Sequence, residues 1–171
     1  MAVEIVVGAN SYVSVSGADT YFNERLYSSA WTAASADDKA RALISATKAI
    51  DRQFLKGRKK LTIQILQFPR CYQRSVNNHL NYIGNVELVW DGSLWCENEV
   101  PQAVKDTQCE EAIALLDRGN SKRRKLQQEG VRSIGIGSTS ETYNPGSGRG
   151  LISQEAKELL RPYLAGSAVI T

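Results

Sequence analysis

Hydrophobic residues near the N-terminus recur at helical spacing and predict a short amphipathic helix that begins at Ser16. Asp19 follows three residues later, which is a weak form of the capping box, and its negative charge suits the first turn of a helix. The apolar face of this helix is formed by Tyr21, Phe22 and Leu26. The pattern therefore indicates a helix that packs one side against a core.

A second amphipathic helix is predicted to begin at Ser35 and to run for roughly 20 residues. Asp37 and Asp38 lie in its first turn, and Gly57 stands where a left-handed terminating residue is expected. Its apolar positions follow helical spacing and are Ala40, Leu43, Ile44, Thr47, Ile50 and Phe54. We expect these side chains to form the buried face of the helix.

From residue 61 the hydrophobic period changes from helical to alternating. Leu61, Ile63 and Ile65 alternate with polar residues, which predicts a short strand or an extended arm that Pro69 ends. Farther along, an Asp-Gly pair at 91–92 separates two apolar runs and predicts a hairpin. We expect the tryptophans of that hairpin to pack on the helices or on a neighbouring subunit; they are Trp90 and Trp95.

The C-terminal half predicts two more helices with an extended run at 131–143 between them. One helix begins at Val100-Pro101, because proline suits the first helical position, and ends at Gly119. The other begins near Ser153 and ends around Pro162.

These elements predict a mainly α fold, a small bundle of about four helices with a β-hairpin or extended-arm insertion at 71–99. At 171 residues the chain is long enough to bury a core as one domain that spans residues 1–171. Segments 1–10 and 165–171 are predicted to be flexible or partner-bound tails, the second of them extended.

The cysteines indicate the cellular compartment in which the chain folds and do not alter the predicted fold class. Cys71, Cys96 and Cys109 are odd in number and include no Cys-x-x-Cys pair, which argues against a disulfide framework and against a zinc site. Folding in a reducing, intracellular place is therefore expected. We expect a soluble chain with no signal peptide and no membrane partner, because no apolar run approaches the length of a membrane span.

The residues that carry chemistry elsewhere do not form a catalytic set in this sequence. His79 is the only histidine and lies in an asparagine-rich loop, where an inert, solvent-exposed side chain is expected. Adjacent carboxylates at 37–38 and 110–111 point in different directions on a helix, so they do not share a proton or a metal ion. The glycine-rich runs at 135–137 and 146–150 lack the phosphate-loop motif. We therefore expect no enzymatic activity, no cofactor and no metal site.

Positive charge is concentrated after the helix that precedes Gly119, in a basic patch formed by Lys122, Arg123, Arg124 and Lys125. Such a patch attracts phosphate backbones and is a possible DNA-facing surface. It also suits the C-terminal end of a helix or contact with an acidic protein surface. The net charge of +3 is too small to demand a nucleic-acid partner.

Two segments are candidates for contacts with other chains. The apolar C-terminal tail is either disordered or donated as a strand to the sheet edge of another subunit; its candidate residues are Ala168, Val169 and Ile170. The extended run is a candidate clasp on an adjacent protomer through Val131, Ile134 and Ile136, and the tryptophans at 90 and 95 are further inter-subunit candidates.

An ordered set of short motifs resembles the head–tail connector proteins of tailed phages and prophages, which are adaptor or head-completion proteins. Some members of that family also carry the label DnaT-like single-stranded-DNA-binding. The motifs are Ser11-Tyr12-Val13-Ser14, Ala18-Asp19-x-Tyr21-Phe22, Trp31, Ala46-Thr47-x-x-Ile50-Asp51, Gln67-Phe68-Pro69-Arg70, Val100-Pro101-x-x-Val104 and Leu159-Leu160-x-Pro162-Tyr163-Leu164.

The resemblance implies a structural protein of the virion that is assembled in the host cytoplasm and lies at the head–tail interface. About twelve copies would form a ring beneath the portal and leave a channel for the genomic DNA. The portal protein and a tail-side connector, stopper or tail terminator would be the partners, and the portal would receive the C-terminal tail.

A single-stranded-DNA-binding accessory protein of phage replication is the alternative. That function needs bases stacked on exposed aromatic side chains beside a basic groove. The aromatic candidates are Tyr72, Tyr82, Trp90 and Trp95, and the candidate cations are those of the basic patch.

Overall fold

The computed structural model describes residues 3–73, 94–118, 129, 131, 133–136, 139–142 and 150–166. Its helices there are α1 (Val15–Asn23), α2 (Ser29–Thr32), α3 (Ala36–Asp51), α4 (Gln102–Arg118) and α5 (Gln154–Leu160), and α5 continues into a 3₁₀ turn at Arg161–Tyr163. The mainly α fold with a β insertion is thus confirmed. None of the helices in these ranges is long and apolar enough to cross a bilayer.

The strands form two small antiparallel sheets. β1 (Arg58–Lys59), β2 (Arg70–Gln73) and β3 (Leu94–Cys96) make one sheet in that order. β4 (Ser133–Ile136) and β5 (Thr139–Thr142) make the other. The extended character predicted for 131–143 is therefore confirmed for the part that the structure describes.

Serine caps fix the helix starts. The Ser35 hydroxyl accepts a hydrogen bond from the Asp38 amide, and that of Ser153 accepts one from Ala156, so the predicted starts of α3 and α5 are confirmed. The predicted start of α1 at Ser16 is wrong. The cap is Ser14, whose extended backbone lets its hydroxyl accept from the Gly17 amide at 3.0 Å.

The end predicted for α3 is also wrong, because the helix stops at Asp51 instead of continuing to Gly57. Phe54 therefore leaves the apolar face and is 87% exposed. Gly57 does take a left-handed conformation, with φ of +69°, for another reason. A Cβ at this position would lie 2.2 Å from the carbonyl oxygen of Cys71, so glycine is needed where the chain passes close to β2.

The alternating run at 61–65 forms turns and bends rather than the predicted strand or extended arm. The Gln64 side chain accepts from the Leu61 amide and donates to the carbonyls of Leu66 and Pro69, which closes the segment on itself. The alternating apolar side chains consequently face solvent. A period-2 pattern alone does not supply the neighbouring strand that a sheet requires.

The insertion joins β2 to β3 through residues 74–93, which lie outside the described ranges. This segment includes His79, Trp90 and the predicted Asp-Gly turn. The expectation of no disulfide is wrong, because Cys71 and Cys96 are bonded. The Glu97 amide donates to the Arg70 carbonyl, so the next cross-strand pair, Cys71 and Cys96, is a non-hydrogen-bonded pair with Cα atoms 4.0 Å apart. Strand pairing therefore places these two thiols together, which a cysteine count does not reveal.

Two hydrophobic clusters meet where α3 packs against α4. One cluster holds α1 and α2 on these helices through Phe22, Trp31, Leu43 and Ala112. The other lies beneath α5 and contains Tyr12, Ile50, Phe68, Val104 and Leu160. The five residues named from this second cluster all belong to the short motifs, so those motifs supply much of the framework of the fold.

Residues 3–10 lie against this framework. The Val3 amide donates to Asp37 on α3, and Ile5 packs on the first cluster. The Asn10 side chain accepts from the Val6 amide and donates to the Glu4 carbonyl, which forms a local turn.

Candidate functional site

An open groove of about 420 Å³ lies between the three-stranded sheet, the start of α4 and the 3₁₀ turn. We call it the aromatic groove. It is lined by Lys56, Tyr72, Trp95, Glu97, Asn98, Glu99, Pro101, Pro162 and Tyr163. These residues come from four separate parts of the chain, and the fold alone brings them together.

Two stacked aromatic rings form one wall of the aromatic groove. Tyr72 on β2 pairs directly with Trp95 on β3, and their ring centroids lie 5.7 Å apart at an interplanar angle of 26°. Trp95 remains 59% exposed, so one face of this stack is open to a ligand. Of the four aromatic candidates from the sequence, the structure unites these two, and the other two lie outside the described ranges.

A buried carboxylate holds this wall in place. Glu97 accepts a 2.8 Å hydrogen bond from the Tyr72 hydroxyl and another of 2.8 Å from the Arg70 amide. Burial and the neighbouring Glu97 raise the pKa of Tyr72, so its hydroxyl stays a neutral donor. Burial also raises the pKa of Tyr163, another aromatic residue that lines the groove. The groove therefore presents uncharged aromatic rings at physiological pH.

Charges of both signs surround the opening. Lys56 donates to the Pro162 carbonyl at 3.0 Å, and Lys60 donates to the Glu97 carbonyl at 2.8 Å. The carboxylate of Glu99 is largely exposed, with Lys105 at 3.9 Å. Because the rim combines cations with carboxylates, it does not form a uniformly positive track for a phosphate backbone.

Large apolar side chains are exposed in the chain that leads from α3 to β2. We call them the apolar loop surface, and its members are Phe54, Leu61, Ile63 and Ile65, which are 54–87% exposed. The hydrophobic pattern predicted a buried helical face for Phe54 and a short strand or an extended arm for the other three. Their alternation and spacing gave no signal that they would face solvent.

A second exposed apolar feature lies between α1 and α2. Leu26 is 78% exposed and Tyr27 is 90% exposed. Arg25 donates to the carbonyls of both residues, at 2.8 and 3.1 Å, while its guanidinium also binds the buried carboxylate of Glu110. We call this feature the Leu26–Tyr27 turn. The hydrophobic spacing predicted Leu26 on the apolar face of α1 and gave no signal for Tyr27.

The remaining predicted sites are only partly described. Val131 is half-buried, and Ile134 and Ile136 lie on β4 opposite Glu141 and Thr139 of β5. The basic patch at 122–125 and the tail residues at 168–170 lie outside the described ranges. The structure therefore does not test the roles predicted for them.

The described residues hold no cluster of three potential metal ligands. Cys109 on α4 is a buried thiol, and burial raises its pKa to about 12, so it is not an activated nucleophile. The candidate binding surfaces are therefore the aromatic groove, the apolar loop surface and the Leu26–Tyr27 turn, which present aromatic and apolar side chains.

A family model described as "Putative DnaT-like ssDNA binding protein" matches residues 2–171 of the chain. No curated protein matches it. No solved structure matches it either.

Proposed function

We propose that this chain, which belongs to the DnaT-like family matched over residues 2–171, is a structural virion protein that joins the phage head to the tail as an adaptor ring beneath the portal. The observation that supports this proposal best is the pair of exposed apolar features. Large apolar side chains that remain exposed to water are typical of surfaces that contact other proteins.

The two features are suited to association between copies. The apolar loop surface exposes Phe54 and Ile63 at 87% each, and the Leu26–Tyr27 turn lies on another part of the molecule. A closed ring multiplies contacts that are individually modest, so each interface needs little area for a stable assembly. The sequence resemblance to head–tail connectors supports the same role, with the portal and a tail-side connector as partners and the channel open to genomic DNA.

Particle composition and assembly test the proposal. We expect mass spectrometry of purified mature particles to detect the chain at a stoichiometry of several copies per portal. We expect the isolated protein to show concentration-dependent association in light scattering, with rings in negative-stain images. Particles that lack the chain, or a strict dimer at every concentration, would contradict an adaptor ring.

Single-stranded-DNA binding is the second candidate function. The description of the matching family favours it, as does the stacked pair of Tyr72 and Trp95 beside Lys56. Base stacking on an aromatic side chain contributes about 1–3 kcal/mol, so in that case Trp95→Ala would weaken binding about 5- to 150-fold.

Fluorescence anisotropy with a labelled oligonucleotide at two salt concentrations separates the two functions. For an adaptor we expect only weak binding that does not change in Trp95→Ala. The control is Phe54→Ala, which removes an exposed aromatic ring that does not line the groove. Tight, salt-sensitive binding that Trp95→Ala weakens about 5- to 150-fold and Phe54→Ala preserves would favour the nucleic-acid function.

A further inference from the structure

We infer that the Leu26–Tyr27 turn of one copy inserts into the aromatic groove of the next copy and thereby forms the repeating contact of the ring. This inference rests on the proposed adaptor function and specifies how its subunits meet. The ligand of the aromatic groove is then a second copy of this chain.

The Leu26–Tyr27 turn is held in position before any contact forms. Tyr27 has a φ of +58°, which is uncommon for a residue with a side chain, and the bonds from Arg25 to the carbonyls of both turn residues maintain that conformation. Glu110, which is buried on α4, anchors Arg25 in turn. A preformed turn loses little conformational entropy on binding, and tyrosine is among the residues enriched at the energetic centres of interfaces.

The aromatic groove offers a matching receptor. Its volume of about 420 Å³ lies within the range of roughly 300–1,000 Å³ typical of sites that bury a small ligand. Its walls are the rings of Tyr72, Trp95 and Tyr163 with two prolines. A tyrosine ring that enters between such walls forms offset or edge-to-face aromatic pairs, which add to the burial of apolar area.

The turn and the groove lie toward opposite ends of α4. The turn borders a cleft of about 330 Å³ with Ile113, Asp117 and Arg118 near the C-terminal end of this helix. The groove includes Pro101 at the N-terminal end. A helix of 17 residues is about 25 Å long, so one copy does not fill its own groove. Complementary surfaces at opposite ends of a subunit form head-to-tail contacts, which give a ring when the rotation closes.

The charges beside the two surfaces are complementary. Asp117 and Arg118 flank the turn and expose more than half of their side chains. Lys56 and Glu99 flank the groove. When the turn enters the groove, the aspartate can face the lysine and the arginine can face the glutamate. This pairing favours one orientation of the contact.

Sedimentation velocity on single variants and on their mixture tests the inference. We expect Tyr27→Ala and Trp95→Ala each to weaken self-association about 30-fold, the effect of removing a central interface residue. A one-to-one mixture should form a heterodimer and nothing larger, because only one intact turn and one intact groove can then meet. Val7→Ala, an exposed apolar position that belongs neither to these two surfaces nor to the apolar loop surface, should associate as the unmodified chain does.

A photo-crosslink provides a measurement that does not depend on loss of function. With Tyr27→p-benzoylphenylalanine at high protein concentration, we expect inter-subunit crosslinks to peptides that contain residues 94–101 or 161–163.

Rings that form normally in both alanine variants would overturn the inference and leave the adaptor function standing. A chain that shows neither association nor crosslinks at any concentration would overturn both. Oligonucleotide binding that needs Trp95, with association unchanged, would assign the groove to nucleic acid and also overturn the inference.

Discussion

Arg70→Ala is expected to lower the free energy of unfolding by about 4 kcal/mol, because several partly buried hydrogen bonds to carbonyl groups would be lost. Arg70 is buried, with only 5% of the residue exposed. Its guanidinium donates to the carbonyls of Lys56 and Gly57 at 2.7 Å each. It also donates to the backbone and side-chain oxygens of Gln67. This one guanidinium thus joins the chain after α3 to the turn before β2. We expect chemical denaturation to show a lower midpoint with an unchanged slope.

The exposed residue Arg52, at the end of α3, supplies the control. Arg52→Ala should change stability by less than about 0.5 kcal/mol, as surface substitutions generally do. Arg70→Lys is a second control that keeps the charge but has a single donor group, and we expect an intermediate loss. Equal stability of Arg70→Ala and Arg52→Ala would show that the hydrogen bonds of the Arg70 guanidinium do not stabilise the chain between α3 and β2.

Gln108→Leu is expected to lower the free energy of unfolding by about 3 kcal/mol, since it would leave one buried and one partly buried backbone amide without this acceptor. Gln108 is fully buried on α4, and its Oε1 accepts from the amides of Tyr12 and Val13 at 3.0 and 3.1 Å. Its Nε2 donates to the Ser11 hydroxyl at 2.6 Å and to the Leu43 carbonyl at 3.0 Å. All four hydrogen-bonding positions of the amide are used. The side chain therefore fixes the segment before α1 between α3 and α4.

Gln102→Leu on the same helix is the matched control, because Gln102 is exposed. We expect thermal unfolding followed by circular dichroism to show a drop of about 10 °C for the buried variant and almost none for the exposed one. A shift of similar size in both variants would indicate that leucine on this helix, rather than the loss of the network, causes the change.

The helices could be predicted from the sequence where local chemistry sets them. Ser35 and Ser153 were identified as caps because a hydroxyl three residues before a free amide needs no distant partner. Pro101 lies directly before α4, which begins at Gln102. Proline suits a helix start because its missing N–H leaves no donor without a partner there. Ser14 and Ser16 both precede the apolar face of α1, and only the backbone conformation of Ser14 selects it as the cap. Local signals therefore predicted four of the five described α-helices, with errors at their ends, and gave no signal for α2.

The short motifs predicted a family resemblance, and the structure shows what several of their residues do. Tyr12 donates its hydroxyl to Asp51 and accepts from the amides of Gln67 and Phe68, which ties three motifs together. Burial raises the pKa of both Tyr12 and Asp51. These motifs support the fold itself, and Pro101, Pro162 and Tyr163 from them also line the aromatic groove. The adaptor role remains a prediction.

By itself the sequence determined a mainly α chain, the presence of α3, α4 and α5, and an inserted extended segment, because helical periodicity and caps act within a few neighbouring residues. Only the tertiary structure decided that Leu61, Ile63 and Ile65 face solvent and that Cys71 meets Cys96. It also decided that Lys56, Tyr72, Trp95 and Tyr163 share one groove. These outcomes require residues far apart in the chain to approach one another, and that approach depends on how the helices pack rather than on any local pattern.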